Sequence, residues 1–379
     1  MSTTIQFLTP RLVGKRFEGH AIPFEVLKNM AVLEDLVIEA AKWKYLQAHP
    51  DRQRVPRGFT EGVSLQLTEV RDGSAIPVIA LTLLTTTPMF PEIGSHQQYF
   101  EMGRDAIIAT VTAAEAQTHG DNTLPSHLSG YFDQLGRSLR DGEALELDPR
   151  NLDNPARLTK ETRRWILLQS DKIQELTEEV VLRGMIPEMD QERMTFEFQL
   201  ISGQRIKAPL EVQHLDSILE AFNGYRDNRK IMIRGIGRFN RNEKLLGLSS
   251  VEHVSILDDL DTGARLEELK TLRNGWLDGK GIAPTRNGLD WLAEAFQRSY
   301  PDELLPPYLY PTAEGGVQAE WSVNDWEITL EIDLDQHLGH WHALDMTNEQ
   351  EQKKSLNLNE PADWQWLATE ITQRIGGDA

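Results

Sequence analysis

Apolar positions recur at two spacings along this chain, and the change from one to the other marks out its elements. After Pro23, a residue suited to a first helical position, Val26, Leu27, Met30, Leu33, Val37, Ala40 and Ala41 follow at intervals of mostly three and four. That is one face of a long helix, ending before His49-Pro50. From Gly62 to Thr87 the period falls to two. Val63, Leu65 and Leu67 alternate with polar residues, Asp72-Gly73 marks a turn, and Ala75 to Leu84 is rich in strand formers. A β-hairpin is predicted there. Helices are then predicted over Tyr99 to Gln117, Pro125 to Arg140 and Thr159 to Gln169, with a loop at His119-Gly-Asp-Asn-Thr after the first. Residues 1–175 thus read as a helical α+β domain with one hairpin.

Residues 176–261 carry a different signal. Strand-like segments occur at Glu178 to Ile186, Met194 to Ile201, Gln204 to Leu210, Lys230 to Ile236 and Lys244 to Leu257. One helical segment, His214 to Phe222, lies between the third and the fourth, with Leu215, Ile218, Leu219 and Phe222 on one face. Three strands, a helix and two strands is the order of a five-stranded Greek-key barrel of the oligonucleotide-binding type. A small α+β roll or an SH3-like barrel would give nearly the same string. The fold class expected is α+β and multi-domain: a helical N-terminal domain with a hairpin, a central small β-barrel-like domain, and a C-terminal α+β module.

Composition locates the third domain. The chain has 39 Lys and Arg against 59 Asp and Glu, a net charge of −20. Residues 262–379 hold 9 basic and 21 acidic residues, a net of −12, which leaves −8 for residues 1–261. Seven of the nine tryptophans also fall in the last 104 residues. Two shifts at one place put a boundary near residue 262, so the expected domains are 1–175, 176–261 and 262–379. Such an acidic surface repels phosphate backbones and disfavours non-specific duplex binding. The absence of cysteine excludes disulfides, thiolate-held zinc, iron–sulfur clusters and thiol catalysis. No apolar run reaches membrane-spanning length, and Met1-Ser-Thr-Thr-Ile-Gln lacks the order of a signal peptide; a cytoplasmic protein is expected, with no membrane partner.

The segment Leu272-Arg-Asn-Gly-Trp276-Leu-Asp278-Gly279-Lys-Gly281-Ile-Ala-Pro284 opens a recognisable pattern. A helix over Gly288 to Tyr300 follows, then a Pro-rich link, Leu305 to Pro311, and a strand ending Gly315-Gly-Val-Gln-Ala-Glu320-Trp321. This order resembles a widespread, uncharacterised bacterial module with a Trp-Asp-Gly-x-Gly and a Gly-Gly-x-x-x-Glu-Trp signature, from which the chain departs by inserting Leu277 and Ile282. The likeness covers about 263–345. It implies no activity, ligand or catalytic residue, only a setting, because members of the module are often found in bacterial mobile or defence-related loci. Trp326 to Asp333 and Gly339 to Leu344 alternate as two further strands.

Several residues invite chemical readings. His337-x-x-His340-x-His342 places two imidazoles on one strand face, about 6–7 Å apart, with the third at a turn. Three imidazoles with Asp333, Asp335 or Asp345 would suit zinc, and the competing reading is a solvent-facing strip. Asp278 beside two glycines is a turn residue before it is a catalytic one. Glu320 and Glu327 read as an outward polar face rather than a catalytic pair. Two basic clusters stand against the acidic background. One is Lys42, Lys44, Arg52, Arg54 and Arg57. The other is Arg226, Arg229, Lys230, Arg234, Arg238, Arg241 and Lys244, interleaved with Tyr225 and Phe239. On a barrel, Arg229, Lys230, Arg234, Arg238 and Arg241 would pair with phosphates while the rings stack on bases. The same side chains would serve equally to bridge to the acidic C-terminal module, and the net charge favours that. No phosphate loop, dinucleotide fingerprint, zinc-protease helix or nucleophile elbow is present. The expected function is accessory: binding another macromolecule, a basic protein in the first place, without catalysis and without cofactor. Single-stranded nucleic-acid binding and a metal-dependent hydrolase are the alternatives.

Overall fold

The N-terminus, which the periodicity left unassigned, is a strand, β1 (Ser2–Leu8), in a computed structural model that describes residues 2–71, 75–84, 96–118, 120, 122–148, 150, 151, 153 and 155–376. The turn expected at Asp72-Gly73, and His119 and Asp121 of the expected loop, lie outside the described residues. Two compact units emerge, residues 1–179 with 236–247 and residues 180–235 with 248–379. Helices and several sheets occur in both, as an α+β, multi-domain chain requires.

In the first unit a short strand β2 (Arg11–Val13) precedes α1 (Phe24–Met30) and α2 (Val32–Ala48). The single long helix of the periodicity is thus two segments meeting at Ala31, whose backbone stays helical (φ −57°, ψ −30°). The hairpin is β3 (Val63–Arg71) and β4 (Ile76–Leu84). β4 is the middle strand of the antiparallel order β1-β4-β3, and Val78, Ile79, Ala80 and Leu81 are all buried, because a central strand covered on both faces cannot alternate. α3 (Gln97–Glu115) packs against α2 and completes this core.

Next come β5 (Ala144–Glu146), β6 (Arg157–Leu158) and α4 (Lys160–Leu168), the last capped by Thr159 and Thr162 in a reciprocal box. The helix expected over Pro125 to Arg140 is reduced to a 3-10 turn, Ser129–Asp133. Gly136 takes φ +79°, which a helix cannot continue through. The carbonyls a longer helix would use are instead claimed by Arg163 of α4. Its guanidinium is 2% exposed and donates to Phe132 O (2.7 Å), Asp133 O (2.5 Å) and Thr177 O (2.7 Å). Burial pulls this arginine down to about 10, against the pull of Asp133, so it stays charged at neutral pH. A second buried charge lies on the sheet β2-β5-β6. Glu146 is fully buried in a cross-strand row between Arg11 (2.6 Å) and Arg157 (2.9 Å).

The barrel is built from β7 (Glu175–Asp190), β8 (Thr195–Leu200), β9 (Arg205–Pro209), β10 (Ile231–Asn240) and β11 (Leu245–Ile256), with α5 (Leu215–Asn223) between β9 and β10. Its closed order, β7-β8-β9-β11-β10, is that of the expected Greek-key barrel. Closure at this radius needs bare backbone at two places. A Cβ on Gly184 would lie 2.1 Å from Gln199 O, and one on Gly235 would lie 2.2 Å from Ser250 O.

The C-terminal module consists of α6 (Thr262–Leu269), α7 (Arg286–Ser299), β12 (Tyr308–Pro311), β13 (Val317–Val323), β14 (Trp326–Asp333), β15 (Leu338–Asp345), β16 (Glu351–Asn357) and α8 (Pro361–Gly376). Its strands form one antiparallel sheet in sequence order. The Pro-rich link therefore contains an edge strand, where a proline without a donor is tolerated. Asp278 and Gly279, with φ +48° and +80°, form the tight turn between Leu277 and Lys280, as Asp-Gly does in a primed hairpin turn. Among the described residues no helix is long and apolar enough to cross a membrane.

Replacing Arg163 by Met removes the donor from three carbonyls, that of Phe132 buried, and strands part of the Asp133 charge. We expect a loss of roughly 3 kcal/mol in urea unfolding with an unchanged slope, since removing one partner of a buried charge network costs about that much. Arg163→Lys should fall between wild type and Arg163→Met.

Candidate functional site

Strand alternation gives the C-terminal sheet two unlike faces. The inner face carries Val317, Ala319, Trp321, Ile328, Leu330, Ile332, Trp341, Ala343 and Leu356, all buried with Leu289, Leu292 and Phe296 of α7 and Trp364, Leu367 and Ile371 of α8. Trp321, Trp341 and Trp364, among the tryptophans that set this module apart in composition, are core residues, each at most 2% exposed.

The outer face follows from the register. One row runs Tyr310, Gln318, Glu331, His340, Ser355, and the next runs Tyr308, Glu320, Thr329, His342, Lys353. A third holds Ser322, Glu327, Leu344 and Glu351. Tyr308 and Tyr310 are 50% and 43% exposed. They were missed in the sequence because the prolines around them suggested a link, although Tyr308, Leu309 and Tyr310 already show the period of a strand. Glu320 and Glu327 lie here, as the outward polar reading required. A shallow hollow of about 440 Å³ is centred on Thr329, Glu331, His340 and His342.

The three histidines are not gathered. His337, at φ +59° in the turn before β15, stacks on Trp291 with ring centres 3.7 Å apart and contacts Asn359 through Nδ1 (3.1 Å). His340 Nδ1 meets Ser355 Oγ at 3.3 Å, and His342 Nε2 lies 3.8 Å from Glu351. Among the described residues no group of three or more His, Asp or Glu side chains is placed to hold a metal ion. The turn that lets His337 face Trp291 takes it off the face of β15 that His340 and His342 share.

The basic residues of the barrel divide between internal and free. Lys230 pairs with Glu268 of α6. Arg238 pairs with Glu175 at 3.2 Å. Arg241 donates to Leu168 O (2.5 Å) at the end of α4, while Arg164 donates to Arg241 O (2.8 Å). Tyr225, expected to stack, donates its hydroxyl to Gln199 (3.2 Å). Arg229 and Arg234 remain exposed, with no side-chain ion pair among the described residues. In the earlier cluster, Lys44 is buried over the Trp43 ring (4.1 Å) and donates to Asn122 (2.6 Å). Its burial lowers its pKa.

Two consecutive glutamates of α6 meet the barrel in opposite ways. Burial pushes Glu267 above its usual range, and Arg183 of β7, 3.1 Å away, offsets only part of this. Glu268 feels burial too, but hydrogen bonds from Lys230 and Arg265 bring it below. Sequence reading missed Arg183 and Glu267 because 84 positions separate them and neither lies in a motif.

No protein-family model, curated protein or solved structure matches this chain.

The Glu267 shift has a sign that can be measured. An acid whose folded pKa is raised is neutral in both states below the ordinary value of 4.5, and costs stability as pH rises through the folded pKa, where its charge is buried. Glu267→Gln should therefore gain stability relative to wild type as pH goes from 4 to 7. A difference that stays flat or falls over that range would contradict the assignment.

Proposed function

We propose that this chain is a binding protein that engages a basic protein partner with the outer face of β12–β16. The observation that carries the reading is the pairing of two half-exposed tyrosines on the edge strand with outward carboxylates on the neighbouring strands: Tyr308 opposite Glu320, with Glu331 and Glu327 on the next. Tyrosine gives large contact area at small entropic cost, and is enriched where protein surfaces meet. The carboxylates, in a module of net charge −12, supply complementarity to lysine and arginine.

A photo-crosslinking residue at position 310, set against one at exposed Lys207 of the barrel, tests this in lysate of the native host. Position 310 should yield adducts with basic proteins, lost when Glu320 and Glu331 are both changed to Lys. Equal adducts at both positions would count against the reading.

A second reading, single-stranded nucleic acid on the barrel, is favoured by the closed strand order and by the exposed Arg229 and Arg234. It requires binding at low salt that weakens steeply as salt rises and is reduced by Arg234→Glu. With Lys230, Arg238 and Arg241 held in internal contacts, fewer cations are left for phosphates than the sequence promised.

A further inference from the structure

A cleft of the second unit lies where the barrel meets the segment from α6 to the start of α7. Its volume is about 590 Å³, within the span of small-molecule sites. One wall is aliphatic: Val181 and Leu182 of β7, Leu200 of β8, then Leu272 and Pro284. The charged lining is basic, with Arg183, Lys270, Arg273 and Arg286 against a single carboxylate, Glu267, and Ser202 and Thr271 are its neutral polar members.

The charges are not equally committed. Arg183 is shared between Glu267 (3.1 Å) and Asp261 (3.5 Å), and Lys270 is paired with Asp290. Arg273 and Arg286 are exposed and make no side-chain hydrogen bond or ion pair among the described residues. Two guanidiniums with no ion pair among the described residues thus line a cleft that also carries aliphatic side chains, in a molecule whose net charge is −20. The surrounding field opposes anions, so an anion held here is held by local contacts. A phosphate monoester carries close to two negative charges at neutral pH, and guanidinium forks fit its oxygens.

We propose that this cleft binds a phosphorylated organic molecule of nucleotide size, its phosphate on Arg273 and Arg286 and its apolar body on Val181 and Leu200. Glu267 is already engaged by Arg183 (3.1 Å), so its carboxylate does not compete for the two free guanidiniums.

Titration calorimetry on the full chain at low salt tests the site with three probes: AMP, hexyl phosphate and inorganic phosphate. AMP or hexyl phosphate should bind at least about tenfold more tightly than inorganic phosphate, since burying one or two methylene equivalents is worth that much. The stronger of the two identifies the body as nucleoside-like or lipid-like. In Arg273→Glu/Arg286→Glu the affinity should fall by about tenfold or more, the loss expected when charge-assisted hydrogen bonds go. Lys207→Glu, which makes the same kind of charge change outside the cleft, should leave it unchanged, and thermal midpoints should show that each variant is folded. Organic phosphates binding no better than inorganic phosphate, or a double variant that binds like wild type, would overturn the proposal.

Discussion

A five-stranded antiparallel sheet with helices on one side only must hide every second residue and surrender the others to water. That constraint organises the C-terminal module. Three tryptophans and the aliphatic residues of β13 to β16 fill the space beneath α7 and α8, and the polar set is left to the other face. A slip of one residue in any pairing would exchange Trp341 for His340 or His342, so the same alternation that secures the core fixes the composition of the outer surface. Lys354 over Trp366 and Arg374 over Trp326 close the rim, their charged heads resting on indole faces. Surface chemistry here is a by-product of core register.

The first unit manages buried charge instead. Glu146 lies between two arginines on adjacent strands, Glu143 accepts from Arg16 at 2.7 and 3.0 Å, and Arg163 caps carbonyls at the end of a 3-10 turn. Each of these groups would be costly alone and is satisfied by partners distant in sequence, which is why local periodicity gave no sign of them. The same holds for α6, whose consecutive glutamates are drawn in opposite directions by burial and by cations from the barrel and from α6 itself.

What the sequence showed, it showed through period. The hairpin at Val63, the helix after Gln97, the five barrel strands with their single helix, and the strands at Trp326 and Leu338 are all legible as alternations of two or of three and four. Elements set by tertiary partners were not. β1 needs β4 beside it, β12 is masked by prolines that only an edge strand tolerates, and the segment after Pro125 is held short of a helix by Gly136 and Arg163. Site residues followed the same rule. Outward glutamates could be read from alternation, while the separation of His337 from its neighbours depends on a turn and a tryptophan 46 positions away, and the free arginines of the cleft, Arg273 and Arg286, stand near the two ends of the Leu272 to Pro284 segment without any spacing that marks them as a pair.

If the exposed face of β12–β16 is where this protein meets its partner, the partner should shield that face. Hydroxyl-radical footprinting compares the purified chain with the chain in native lysate, residue by residue. Tyr308, Tyr310, His340 and His342 should be protected in lysate, with Tyr131 and Tyr225 in the other elements unchanged. Equal labelling of the four in both settings, or protection confined to the other elements, would contradict it.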